Sequence, residues 1–157
     1  MTGRLARLGA MRASAAVLVG VLVLLATGCG GGSGARLSKE DFQSQANAIC
    51  DKYQQQLRAL PTPTSLDEIP DLVDQALEIL NKEIDEIGKL NPPEELQSQF
   101  DQMLAESDKT KQAANDLSAA AKSGDQAAVQ KALDAGNAAS NKADQIATQL
   151  GLDSCKG

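Results

Sequence analysis

Two stretches of this chain repeat their small and apolar side chains at alternating spacings of four and three residues. The first runs through Leu96, Phe100, Met103, Ser107, Thr110, Ala114, Leu117 and Ala121. The second runs through Val129, Ala132, Gly136, Ala139, Ala143, Ile146 and Leu150. This 3.5-residue period places each set along one face of a helix that packs against other helices. A strand would need a period of two, and no segment shows sustained two-residue alternation of β-branched side chains. The punctuation agrees with the period. Asn91-Pro92-Pro93-Glu94 reads as a helix start, with a cap residue, a proline at the first position and an early acid. Lys122-Ser123-Gly124-Asp125 reads as a stop and a restart, and Gly151 as a stop.

Two further helices precede these. Ser38-x-x-Asp41 is a capping-box-like start, and Phe42, Ala46, Ile49, Tyr53, Leu57 and Leu60 share one face until Pro61 and Pro63 end the helix. Ser65-x-x-Glu68 opens the next, with Pro70 early enough to be tolerated. Its face is Ile69, Val73, Ala76, Leu77, Leu80, Ile84 and Ile87. Four helices joined by short turns give an all-α fold, an antiparallel up-down four-helix bundle over residues 38–157. The last helix offers mostly Ala and Gly to the core, so close packing around Gly136 is expected rather than a cavity.

Composition removes most catalytic classes. The 157 residues include no His and no Trp, and the aromatics are Phe42, Tyr53 and Phe100. Without imidazole there is no Ser-His-Asp or Cys-His site and no His-ligated metal or haem. Three aromatics on an acidic chain build neither a nucleic-acid surface nor a sugar cleft. No catalytic, metal-binding or cofactor-binding residue is assigned, and no nucleic-acid partner is expected. Residues 66–95 hold ten acids against Lys82 and Lys89. They read as a solvated helix exterior rather than a docking face.

The first 28 residues read as an address. Arg4, Arg7 and Arg12 form a positive region without acids, and Ala13 to Ala26 is apolar apart from Ser14 and the glycine at 20. That run is short of the roughly 20 residues a spanning helix needs. It ends at Ala26-Thr27-Gly28-Cys29, which closely resembles a bacterial lipobox, with Ala26 where that motif favours a branched residue. The resemblance implies cleavage before Cys29 and a diacylglycerol thioether on it. The lipidation site is therefore Cys29, and the protein's place is the extracytoplasmic face of the cell membrane, held by at least two acyl chains. Three of the 15 basic residues and none of the 21 acids lie before residue 29, so the remaining chain carries 12 against 21, a net charge of −9. Gly30-Gly31-Gly32-Ser33-Gly34 follows as a flexible tether, taken with Cys29 as residues 29–37.

With Cys29 lipidated, Cys50 and Cys155 remain in an exported protein. The tail after Gly151 is long enough to fold back to Cys50, so an intramolecular disulfide is the favoured reading. Two free thiols or an intermolecular bridge are the alternatives. Gln45-Ala46-Asn47-Ala48-Ile49-Cys50, the Pro-Pro-Glu turn and Gly151-Leu152-Asp153-Ser154-Cys155 resemble a group of small, exported, all-helical proteins and lipoproteins of actinobacteria. That resemblance supports the Cys50–Cys155 pair and implies no activity. The functional expectation is a non-catalytic interaction or structural module of the cell envelope, with an unknown envelope protein as partner. The alternative is a carrier of a small apolar ligand between the helices. A largest pocket lined by Leu, Ile and Met would favour the carrier, and a solid core with one flat patch would favour the module.

Overall fold

The computed structural model describes residues 35–157. Their elements are α1 (Lys39–Arg58), α2 (Ile69–Ile87), α3 (Glu94–Ser123) and α4 (Gln126–Leu150), with short 3₁₀ turns at Leu66–Glu68 and Asp153–Cys155. There is no strand among the described residues. The expected all-α class with four helices is what the described residues adopt. The predicted signal segment, Cys29 and the Gly-rich run to Gly34 lie outside the described residues. Among the described residues, no helix is long and apolar enough to cross a membrane.

Local signals set most of the boundaries. The Ser38 hydroxyl accepts the Asp41 N–H at 3.1 Å and donates to the Asp41 carboxylate at 2.8 Å. The Asp125 carboxylate accepts the Ala128 N–H at 3.0 Å. Each such cap stabilises its helix by about 1 kcal/mol. Gly124 and Gly151 end α3 and α4 with φ of 69° and 74°, a conformation that glycine adopts without steric cost. Two starts differ from the expectation. Ser65 makes no side-chain cap; instead Glu68 reaches back and accepts the Thr64 N–H at 2.7 Å. A 3₁₀ turn follows, closed by the Glu68 N–H on the Ser65 carbonyl, and α2 begins after it at Ile69. The residue preceding α3 is Pro93, not Asn91, because both prolines pack in the interior before the helix begins.

The large side chains gather at one end. Phe42 and Phe100 meet edge to face, 5.2 Å between ring centroids, and Leu96, Met103, Ile87, Ile146, Leu150 and Leu152 pack around them. Arg36 and Leu37, which sequence groups with the tether, already belong to this end. Leu37 N–H donates to the Asn91 carbonyl at 2.8 Å, and Arg36 donates to the Pro92 carbonyl at 2.8 Å and to Gln97 at 2.9 Å.

The other end is a pair of helices with small contact residues. In α3 the buried positions there are Ala113, Ser118, Ala120 and Ala121; in α4 they are Ala132 and Ala139. Gln99 near the start of α3 bonds Gln149 near the end of α4, and Ala113 sits beside Gly136, so these two helices run in opposite directions. A Cβ built on Gly136 would meet the Ala113 Cβ at 3.6 Å, an ordinary contact. Close packing therefore does not require a glycine there.

Candidate functional site

The α3–α4 pair lies close, and α2 packs on α3, yet a cleft of about 360 Å³ remains between α2 and α4. Residue size explains it. The α2 wall is large and apolar: Val73, Leu77, Leu80 and Ile84. The opposing positions are small: Ser107, Thr110 and Ala114 from α3, and Ser140 and Ala143 from α4. Met103 and Leu104 close one side, and Leu57 with the Cys50–Cys155 bridge closes another. Leu77, Leu80 and Ile84 are consequently only half-buried, although sequence places them on a core face.

The bridge joins α1 to the tail with 4.9 Å between Cα atoms. It settles the three alternatives left open by sequence in favour of the intramolecular disulfide. Hydrogen bonds bring the tail to it. Asn47 donates to the Gly151 carbonyl at 3.1 Å and accepts the Ser154 N–H at 2.9 Å. Gln43 donates to the Leu150 carbonyl at 2.6 Å. Leu152 is fully buried and fixes the turn. The positive φ of Gly151 favours glycine, and a side chain there would also push the Gln43 amide off its bond to Leu150.

One carboxylate faces the cleft from within α2. Glu83 keeps 9% of its surface exposed, and no side chain or backbone donor among the described residues pairs with it. Burial alone pushes its carboxyl up to about 7. Its neighbour Glu86 behaves oppositely. Glu86 accepts from Lys52 at 2.7 Å and from the Tyr53 hydroxyl at 2.6 Å, and these bonds hold it below the usual glutamate range. Together they tie α1 to α2. Three other polar groups around the cleft are bonded. Ser107 donates to the Met103 carbonyl at 3.1 Å, Thr110 to the Glu106 carbonyl at 3.2 Å, and Asp144 accepts the Gly157 N–H at 3.3 Å.

Sequence reading placed Glu83 among ten solvated acids, and the structure removes it from that set. The signal that would have found it is its spacing. Glu83 lies seven residues after Ala76, three after Leu80 and four before Ile87, on the same helix face. Among the described residues no group of three or more His, Cys, Asp or Glu could hold a metal ion. Chemically, the site can enclose a small apolar body and offer it one carboxylate. Comparison with family models, curated proteins and solved structures finds no match to this chain.

Proposed function

We propose that this chain is a lipid-anchored protein of the extracytoplasmic membrane face whose helical domain carries a small apolar molecule. The cleft between α2, α3 and α4 is the observation that carries the reading. Its volume of about 360 Å³ lies in the range of small-molecule sites, and Leu, Ile, Val and Met form its α2 side and one flank, facing small Ser, Thr and Ala. A docking module would instead present a flat apolar patch. Among the described residues the large hydrophobic left exposed is Leu133. The reading is therefore non-catalytic and gives the interior, rather than the surface, the binding role.

The anchor rests on the lipobox-like ending at Cys29, together with the arginines and apolar run before it. About six residues separate Arg36, which bonds the α2–α3 loop, from Cys29. A Gly-rich segment of that length reaches roughly 13 Å. In this reading the bilayer is the reservoir of the apolar molecule that the cleft takes up.

Titration with the neutral fluorophore N-phenyl-1-naphthylamine tests the cleft. The native chain should give a saturable rise in emission, and Leu80→Trp, which fills the space, should abolish it. No saturation, or saturation that Leu80→Trp leaves intact, would sink the carrier reading. Fractionation of cells expressing Cys29→Ser tests the anchor separately. The variant should leave the membrane fraction or retain its uncut signal. Membrane residence with the signal removed would refute lipidation.

A further inference from the structure

We propose that the cleft selects an amphipathic cation, a small hydrocarbon body bearing one protonated nitrogen that pairs with the Glu83 carboxylate. This rests on the carrier reading and adds the polarity of the ligand to it.

Three observations converge. First, the surface that a hydrocarbon would touch is in place: Leu77, Leu80 and Ile84 on α2 face Met103, Leu104 and Ala143. Secondly, Glu83 is more than nine-tenths buried in that surface and has no partner among the described residues, whereas Ser107, Thr110 and Asp144 are each bonded. Its carboxylate oxygens are not sealed from solvent, so a cation entering the cleft can reach an acceptor that no other group holds. The apolar surroundings raise the carboxyl to about 7. Thirdly, the charged side chains lining the cleft are Glu83 and Asp144, with no Lys or Arg among them. A fatty carboxylate or a phosphate would bring like charge to an acidic wall and find no counter-ion. A neutral alcohol fits the wall but gains at most one uncharged hydrogen bond. An ammonium gains a charge-assisted one in a setting of low polarity.

Calorimetric titration of the full chain in lipid nanodiscs, with empty nanodiscs subtracted, tests this at pH 8 with octylamine, octanol and octanoate. Octylamine should bind at least about tenfold more tightly than octanol, the ratio expected of one hydrogen bond to a charged group. Octanoate should bind weakest. Glu83→Gln should remove most of the octylamine advantage and leave octanol binding unchanged, with helicity checked by circular dichroism. If Glu83→Gln fails to fold, Glu83→Leu, which needs no buried partner, should show the same loss. Equal binding of amine and alcohol by the native chain, tighter binding of octanoate, or an amine preference that survives both substitutions would overturn the assignment of Glu83 while leaving the carrier reading standing. Failure of all three probes to saturate would overturn the carrier reading and this inference with it.

Discussion

The two ends of the helical domain are built from different materials. Around Phe42, Phe100, Leu150 and Leu152 the chain buries large side chains, adds a disulfide and fastens its tail through Gln43 and Asn47. At the turn between α3 and α4, contact is made through Ala113, Ala120, Ala121, Ala132 and Ala139. Burial energy scales with apolar area, so the first end gains several times more per residue than the second. The comparison teaches that close helix contact and strong helix contact are separate things. Alanine lets α3 and α4 approach, and phenylalanine and leucine hold the domain shut. The cleft lies between the two regimes, where large residues of α2 look across at small ones.

The sharpest way to break the comparison is to remove a ring from the large-residue end. Phe100→Ala should cost about 3–5 kcal/mol in urea unfolding, since the side chain is fully packed and its edge-to-face partner Phe42 would line a void. A loss below 1 kcal/mol would mean that this end is not where the stability resides. Next in size is the bridge. It closes a sequence separation of 105 residues, and Cys155→Ser should cost about 2–5 kcal/mol, with amide exchange rising first in the tail and last turn of α4. A melting temperature indifferent to reductant would contradict this.

The third prediction concerns pH. Glu83 holds its proton up to about 7 when folded, against about 4.5 for an ordinary glutamate. Between those values the folded state binds a proton that the unfolded chain releases, so stability falls as pH rises through that window. The loss is on the order of 2–3 kcal/mol and is complete by about pH 8. Asp144 is the other acid facing this cleft, and the chain has no His to confuse the range. Glu83→Leu should flatten the slope and raise stability at pH 8. Denaturation midpoints at pH 5 and pH 8 that do not differ for the native chain would refute it. The smallest effect sharpens the picture of the Ala-rich end. Gly136→Ala should stabilise by about 0.5–1 kcal/mol, because the added methyl meets Ala113 at an ordinary distance. Destabilisation would show that α3 and α4 are closer than 3.6 Å of clearance allows.

What sequence made legible was local or periodic. Ser38 and Asp125 cap their helices through their own side chains, Gly124 and Gly151 stop theirs, and the 3.5-residue period found the α3 and α4 faces. Legibility failed where a choice depended on something distant. Whether Ser65 or Glu68 closes the turn before α2 depends on which side chain reaches back, and Glu68 wins with a 2.7 Å bond to Thr64. Glu83 was misread because its charge outweighed its spacing. The cleft itself was invisible as a particular place, since it arises from the sizes of residues on three helices that no single stretch brings together. The pairing of Cys50 with Cys155 was the favoured reading, reached from the cysteine count and the reach of the tail, but what guides the tail was not legible, because Asn47 acts 107 residues away from Ser154.

The bridge also fixes how this domain answers a pull. Residues 50–155 form a closed covalent ring, and the chain enters it through α1. Tension applied ahead of residue 35 first meets the bonds of Arg36 and Leu37 to the α2–α3 loop, and then the first three turns of α1. Beyond Cys50 there is no single strand left to draw out. A load between residues on either side of the ring takes its short arm, across the sulfurs, and bypasses residues 51–154. The slack this domain can pay out under tension is therefore limited to fewer than twenty residues at its entry, while α2, α3 and α4 stay outside the line of force.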